Sequence, residues 1–308
     1  MNLRDLQYLV TVAETRHFGR AAEQCFVSQP TLSGQIKKLE QELGVTLFER
    51  TNRRVEVTPA GEVILQHARQ ILEQADVIRQ TAQAFKDPVA GPLRLGAIPT
   101  ISPYLTPFIL KPLQQEWPQM RLVLSEEKTD RLLQRLHDHE IDAAILATEH
   151  GDPEFTRIPL FREPFWLAIP RDSELYTKDD ISQEDLAGCE LLLLAEGHCL
   201  AQQAIDLCRL DRRDPNSELA NLRATSLETL LQLVSAGYGS TLVPALAVSS
   251  PWTSGRGIIV RELDLPGASR DVSLYFRRSF PRRAALEALC DTLRRHLPNT
   301  VQLLNANE

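Results

Sequence analysis

A run of four leucines at residues 191–194, followed closely by Gly197, strongly restricts how this part of the chain can fold. An apolar run of this length, without a polar break, predicts a short buried strand. Gly197 permits a sharp turn, and the residues from Leu200 onward favour a helix. The segment therefore predicts a strand–turn–helix unit, with Cys199 at or just before the helix N-terminus and His198 beside it.

Cys199 is a candidate reactive thiol, because a helix dipole and an imidazolium on His198 would both stabilise its thiolate. Cys208 follows nine residues later. If one straight helix carried both, their positions along its axis would differ by about 13 Å. A disulfide needs Cα atoms roughly 4.4–6.8 Å apart, so the two could bond only if the helix unwound, which is the physics of a redox switch. The alternative is that Cys199 is simply a small buried hydrophobic residue.

Composition narrows the class of protein. The chain has 308 residues, enough for about two or three domains. Because no apolar run approaches the ~18 residues of a membrane span and the N-terminus lacks a signal-peptide core, we expect a cytoplasmic protein without membrane contact. The five cysteines are sparse and contain no CxxC pair, which argues against a disulfide framework and predicts neither a metal site nor a cofactor.

Charge is unevenly distributed along the chain. The net charge is −7, but residues 1–60 carry eight Lys and Arg against seven Asp and Glu. The net charge of residues 1–60 is therefore +1, and that of the remaining residues is −8. A local basic surface matters more for DNA binding than the total charge.

The first 60 residues predict three helices and a hairpin. Helices are expected over residues 3–14 and 18–26, and a third over residues 29–43, ending at Gly44, with Ser28 as N-cap and Pro30 in the first turn. Strands are expected at residues 45–50 and 55–58, with a basic turn at residues 51–54. The predicted buried stripe of the third helix consists of Leu32, Ile36, Leu39 and Leu43.

The opposite face of the third helix combines small residues near its start with a lysine further along, which suits close approach to a DNA major groove. An ordinary solvated helix face is the alternative. A basic hairpin after three helices is typical of a winged helix-turn-helix, whose wing arginines reach the DNA backbone or minor groove. The residues of this face are Pro30, Ser33, Gly34, Lys37 and Gln41.

A long helix is predicted from Pro59 to about Lys86, and residues 87–92 then break it and mark a hinge. Its apolar positions alternate in steps of four and three, the heptad pattern of a coiled coil. We interpret it as a dimerisation helix, the alternative being a helix packed on its own domain. The heptad positions are Ile64, Ala68, Ile71, Ala75, Ile78, Ala82 and Phe85.

Six motifs in this N-terminal region together resemble those of LysR-type transcriptional regulators: FGRAA (18–22), VSQPTLS (27–33), IKKLE (36–40), LG (43–44), LFER (47–50) and TPAG (58–61). The resemblance implies a winged helix-turn-helix at residues 1–59, a linker helix and hinge at 60–90, and an effector domain at 91–300. It also implies a dimer assembling into a tetramer, pseudo-palindromic double-stranded DNA sites and contact with RNA polymerase. The residues expected to contact DNA are Gln29, Pro30, Thr31, Ser33, Lys37, Arg50, Arg53 and Arg54.

From residue 93 onward, predicted strands and helices alternate, which indicates an α/β fold with largely parallel sheets. The first strands are expected at residues 93–98, 121–126 and 141–146, and later ones near 165–169, 191–194, 241–243 and 272–276 suggest two sheets. Ligands of open α/β sheets bind in the loops that open the helices. The resemblance implies a periplasmic-binding-protein-like architecture, with subdomain I at about 91–163 plus 269–300 and subdomain II at about 164–268.

Within that family, the effector half is most similar to the peroxide-sensing regulators, through LG (95–96), PT (99–100), PYL (103–105), EEKT (126–129), EGHCL (196–200) with Cys208, and RATSLETL (223–230). The resemblance implies that hydrogen peroxide oxidises Cys199 to a sulfenic acid, which Cys208 converts to a disulfide. One departure from the pattern is the arginine-rich segment 209–214. The residues expected to bind or activate peroxide are Thr100, Thr129, Gly197, His198 and Arg270.

Several alternatives stay open at the level of sequence. Thr100 and Thr129 could be helix N-caps, and His198 a structural hydrogen bonder. The regulator could respond to a small organic co-inducer instead of peroxide. The protein could also be an enzyme, a thiol peroxidase, although residues 1–60 would then have no explanation.

Overall fold

The computed structural model describes residues 1–50, 55–208, 223–248 and 257–304. The chain forms two compact units, Met1–Lys86 and Asp87–Glu308. Each unit has its own cluster of buried hydrophobic residues.

The first unit contains the predicted three helices, the hairpin and the long helix. In chain order the elements are α1 (Leu3–Thr15), α2 (Phe18–Gln24), α3 (Gln29–Leu43), β1 (Phe48–Arg50), β2 (Val55–Val57) and α4 (Pro59–Lys86). β1 and β2 pair antiparallel. Three helices followed by a two-stranded wing confirm the predicted winged helix-turn-helix.

Capping residues fix both ends of α3 as the sequence predicts. The Ser28 hydroxyl accepts a hydrogen bond from the Thr31 amide at the N-terminus, and Gly44 ends the helix with a φ of +70°. Leu32, Ile36 and Leu39 are buried, but Leu43 is 36% exposed. The predicted stripe was therefore wrong at its last position, because the core ends before the final turn of α3.

The first turns of α4 are packed in a core, whereas apolar residues of its later turns are exposed. Near its start, Leu65 and Ala68 are buried in the core of the first unit. Further along, Ile71 is 41% exposed and Ile78 is 70% exposed. The early turns thus fit the alternative of packing on the helix's own domain, whereas Ile71 and Ile78 lie on the surface of the isolated chain.

The second unit alternates strands and helices. Its elements are β3 (Gly91–Ala97), α5 (Ser102–Glu116), β4 (Met120–Glu126), α6 (Thr129–His137), β5 (Ala143–Leu146), β6 (Phe155–Pro170), a 3-10 helix (Glu174–Thr177), α7 (Gln183–Gly188), β7 (Leu193–Leu194), α8 (Cys199–Cys208), β8 (Arg223–Ala224), α9 (Leu227–Ser235), β9 (Thr241–Pro244), α10 (Ala245–Val248), β10 (Ile258–Glu262), β11 (Ser269–Arg277), α11 (Arg283–His296) and β12 (Gln302–Leu303).

Besides a small parallel sheet formed by β7 and β8, this unit contains an eight-stranded sheet, which forms its centre. The path along it is β10-β6-β11-β5-β3-β4, and β9 and β12 also pair with β6. β3 pairs in parallel with β4 and β5, but β6 and β11 pair antiparallel with all their neighbours. The expectation of largely parallel sheets was therefore wrong for this half. The sheet is mixed because β6 is 16 residues long, and its first half pairs with β11 while its second half pairs with β9 and β10.

Several helices of this unit begin just after the carboxyl end of a strand. α5 follows β3, α6 follows β4, α8 follows β7 and α9 follows β8. Thr100, Thr129 and Cys199 lie at or beside three of these helix starts. In the part of the chain that the structure describes, no helix is long and apolar enough to cross a membrane.

Candidate functional site

Cys199 is the first residue of α8, as the strand–turn–helix pattern predicts. β7 is shorter than the leucine run, although Leu191 adds a bridge to Ser240. Gly197 has a φ of +86°, a left-handed backbone conformation that favours glycine. The turn is closed by the His198 amide, which donates to the Ala195 carbonyl at 3.4 Å, and the Ala195 amide donates to the Ala224 carbonyl of β8 at 2.7 Å. This turn determines the position of Cys199 at the start of α8.

Arg270 organises the surroundings of Cys199. Its guanidinium hydrogen-bonds Cys199 and donates from Nη1 to Thr100 Oγ1 and from Nη2 to the Thr100 carbonyl, both at 2.9 Å. Its Nε donates to Glu163 Oε2 at 2.9 Å, and both side chains of this ion pair are fully buried. Glu163 Oε1 also accepts from the Leu246 amide at 2.8 Å. A buried cation is thus held rigidly against the thiol.

The pKa of the Cys199 thiol is raised by burial, and the Arg270 charge and hydrogen bonds from the backbone amides of Cys199 and Leu200 lower it. The direction differs from the low pKa that the sequence predicts, because the thiol lies deeper than a surface helix start. Burial, followed by the positive charge of Lys128, lowers the pKa of His198. This direction disfavours the imidazolium that the sequence analysis places beside Cys199.

The two predicted threonines are both buried. Neither is an N-cap, since Ile101 precedes α5 and Lys128 precedes α6 in that position. Thr100 contacts Arg270, as described above. Thr129 Oγ1 is buried and has no hydrogen-bond partner among the residues that the structure describes. A buried hydroxyl without a partner is uncommon, and it suits a small polar ligand.

Cys208 lies at the opposite end of α8 and is buried. With both cysteines on one helix, the axial rise between them is about 13 Å. All five cysteines lie in the described part of the chain, and none of them is in a disulfide. A bond between Cys199 and Cys208 is incompatible with the helical form of this segment.

Glu163 and Lys128 contact the site but were not predicted from the sequence. Glu163 lies in β6, in a stretch that shows no strand pattern, and its partner Arg270 is 107 residues away. Lys128 is the N-cap residue of α6, and its Nζ donates to the Glu196 carbonyl at 2.6 Å. It lies within the EEKT motif, but nothing in the sequence pairs it with the Cys199 turn.

The predicted DNA-binding face of α3 is largely exposed. Gln29, Pro30, Thr31 and Lys37 are exposed, and Ser33 is half-buried. Arg53, Arg54, the Arg50 side chain and the segment 209–214 lie outside the described residues. The described residues contain no group of three or more His, Cys, Asp or Glu side chains that could hold a metal ion.

Residues 3–62 match the family described as "Bacterial regulatory helix-turn-helix protein, lysR family", and residues 86–298 match the "LysR substrate binding domain". The chain belongs to the LysR family of bacterial regulatory proteins.

Among its relatives, the "Hydrogen peroxide-inducible genes activator" of Pectobacterium carotovorum subsp. carotovorum is 43% identical over 306 residues, 99% of this chain and 100% of the relative. The solved structure of a full-length OxyR from Pseudomonas aeruginosa, with a cysteine replaced by aspartate, is 41% identical with a TM-score of 0.79 and covers 99% of this chain and 98% of that one. A hydrogen peroxide-bound cysteine mutant of Corynebacterium glutamicum OxyR is 38% identical with a TM-score of 0.65, and the match covers 96% of this chain and 92% of that one.

Proposed function

We propose that this protein is a DNA-binding transcription regulator that senses hydrogen peroxide through oxidation of Cys199. The observation that carries the proposal is the contact of the buried Arg270 guanidinium with both Cys199 and Thr100 at the start of α8. The names of the full-length relatives support the same function. Regulation of oxidative-stress genes is the corresponding biological role.

The reaction needs no cofactor. The Cys199 thiolate attacks one oxygen of hydrogen peroxide; an S–O bond forms, the O–O bond breaks, and the other oxygen leaves as hydroxide and takes up a proton to become water. Sulfur is thereby oxidised to a sulfenic acid and the peroxide is reduced. Arg270 stabilises the thiolate and the developing negative charge, while Thr129 Oγ1 supplies a hydrogen-bonding group for the small uncharged substrate.

Cys208 completes the switch. Its thiolate attacks the Cys199 sulfur, a disulfide forms and hydroxide leaves. Because the two residues are about 13 Å apart along α8, this step requires the helix to unwind. The refolded segment then changes the contacts of the effector domain, residues 91–300, and through them the spacing of the DNA-binding domains, residues 1–59.

In the first unit, α3 supplies the DNA contacts, together with the wing arginines Arg50, Arg53 and Arg54. Lys37 contacts phosphate, so Lys37→Ala should weaken binding to all sequences and reduce the salt slope by about one unit. Lys111→Ala, an exposed lysine of the second unit, is the matched control. An unchanged salt slope in Lys37→Ala would remove this contact from the proposal.

The exposed heptad residues of α4 support assembly into a dimer, which then forms a tetramer on pseudo-palindromic DNA and contacts RNA polymerase. Ile78→Asp should dissociate the α4 contact, because it places a charge at a 70% exposed apolar position of the coiled-coil stripe. Analytical ultracentrifugation of the parent at micromolar concentration should give a dimer or larger species. A monomeric parent would contradict the assembly.

The test of peroxide sensing compares the parent with Cys208→Ser and Cys199→Ser. The parent should form the disulfide; Cys208→Ser should stop at sulfenic acid, trapped by a dimedone-type reagent and read by mass spectrometry. Cys199→Ser should not react. Steady-state turnover of peroxide with a thiol reductant would favour the enzyme, whereas a stoichiometric reaction that changes DNA binding supports the regulator.

A further inference from the structure

Lys128 reaches from the turn before α6 to the turn before α8. Its backbone is anchored in the first turn of α6, where its carbonyl accepts from the Leu132 amide at 3.0 Å. From that anchor the side chain extends to Glu196, where Nζ donates to the main-chain carbonyl at 2.6 Å. An exposed lysine that bonds a main-chain atom 68 residues away fixes one turn relative to another.

The same side chain packs against Gly197. A Cβ atom at this position would lie 3.1 Å from Lys128 Cδ and 3.4 Å from its Nζ. Gly197 therefore has two constraints, its left-handed backbone and the lysine chain above it. The Lys128 charge also contributes to lowering the pKa of His198, so the lysine interacts with residues 196, 197 and 198 in succession.

These three residues lead directly to the peroxide-reactive sulfur. The backbone amides of Cys199 and Leu200 hydrogen-bond the sulfur, and their directions are set by the preceding turn. On the other side, Lys128 is adjacent in sequence to Thr129, whose buried hydroxyl has no partner among the described residues. Lys128 thus connects the start of α6, where the Thr129 hydroxyl lies, to the start of α8, where the Cys199 thiol lies.

We propose that Lys128 is a positioning residue for the peroxide reaction, holding the 196–198 turn so that Cys199 and Thr129 approach the same peroxide molecule. This inference rests on the proposed function. Lys128 itself does not contact the substrate. Loss of this hydrogen bond should displace the 196–198 turn and slow the reaction by about tenfold, because small misplacements of reacting groups cost large factors in rate.

The test measures the second-order rate constant for oxidation of Cys199 by hydrogen peroxide in a Cys208→Ser background, which isolates the first step. Lys128→Met keeps the aliphatic length but loses the charge and the donor, and should react about tenfold more slowly. Lys128→Arg keeps both and should retain most of the parental rate. Lys111→Met, an exposed lysine in the same unit, is the matched control and should react like the parent.

A second measurement reports on the contact independently of the reaction. NMR titration of His198 should show a higher pKa in Lys128→Met than in the parent, because a neighbouring positive charge has been removed, and no rise in Lys128→Arg. A parental rate in Lys128→Met, or an equal loss in Lys111→Met, would overturn the inference.

The two proposals fail in distinguishable ways. A parental protein that does not react with peroxide contradicts the proposed function. In that case, an unchanged His198 titration in Lys128→Met, with unchanged hydrogen exchange of residues 196–199, would overturn the role of Lys128 as well. A changed His198 titration and a changed hydrogen exchange of residues 196–199 in Lys128→Met would instead show that Lys128 positions the turn.

Discussion

Cys199 and Cys290 are two poorly exposed thiols of the same unit with very different surroundings. Burial raises the pKa of both, and that of Cys290 to about 12. Cys290 lies in the interior of α11, where nearby Asp291 and Glu287 raise its pKa further and Arg294 lowers it. Cys199 lies at a helix start, where Arg270 and two backbone amides hydrogen-bond its sulfur. Burial alone thus gives an inert thiol, whereas burial beside a fixed cation and the amides of a helix start gives a candidate reactive one.

The largest expected difference between these cysteines is in the response to peroxide. Cys199→Ser should abolish both sulfenic acid and disulfide formation, because the reacting sulfur is gone. Cys290→Ala should leave both unchanged. Mass spectrometry of trapped products after a stoichiometric peroxide pulse measures each. Loss of the response in Cys290→Ala would remove the distinction between the two sites.

Arg270→Met tests whether the Arg270 charge is what makes Cys199 more reactive than Cys290. The substitution leaves Glu163 as an unpaired buried charge, so the free energy of unfolding should fall by about 3–5 kcal/mol, measured by urea denaturation. The double variant Arg270→Met with Glu163→Leu should recover much of this stability, because no charge is then left buried. Its reaction with peroxide should stay slow. If the recovered double variant reacted at the parental rate, Arg270 would be structural only.

The pH dependence of ionisation should separate the two thiols. A thiolate forms as the pH rises through the pKa, so Cys199 should ionise at a lower pH than Cys290, whose pKa is about 12. Ultraviolet thiolate absorbance, compared between the parent, Cys199→Ser and Cys290→Ala, gives the order in which the two thiols ionise. Arg270→Met should move the Cys199 transition to higher pH, since the guanidinium lowers its pKa. Coincident transitions in the parent would contradict the comparison.

The smallest expected effects concern the two threonines. Thr100→Val removes the oxygen that accepts from Arg270 Nη1, and an unsatisfied buried donor costs about 1–3 kcal/mol. Thr129→Val removes a hydroxyl without a partner among the described residues, so the free energy of unfolding should change by less than about 1 kcal/mol. Both variants should slow the peroxide reaction. A destabilisation by Thr129→Val as large as that of Thr100→Val would show that its hydroxyl is satisfied in the protein.

Local patterns in the sequence predict much of this molecule because they report local physics. The Ser28 cap, the Gly44 stop and the leucine run before Gly197 each act within a few residues, and the structure confirms the elements they predict. In β6 only residues 165–169 show such a pattern, because Pro159, Pro164 and three charged residues interrupt its first ten residues. Its antiparallel pairing with β11 was therefore missed.

The candidate site was only partly predictable for the same reason. The position of Cys199 at a helix start follows from neighbouring residues. The pairing of Arg270 with Glu163 and the contact of Lys128 with Glu196 join residues 107 and 68 positions apart, and depend on how the sheet brings strands together. The direction of the Cys199 pKa depends on burial depth, which no local spacing reveals.

Unwinding of α8 is the central claim, and hydrogen exchange of residues 199–208 in the reduced and oxidised protein tests it most directly. The reduced protein should protect the interior amides of this helix, which donate to carbonyls four residues earlier. Oxidation with stoichiometric peroxide should remove that protection in the parent and in Cys290→Ala, but not in Cys208→Ser, where no disulfide can form. Equal protection of α8 in the reduced parent and in the disulfide-bonded parent would contradict the account.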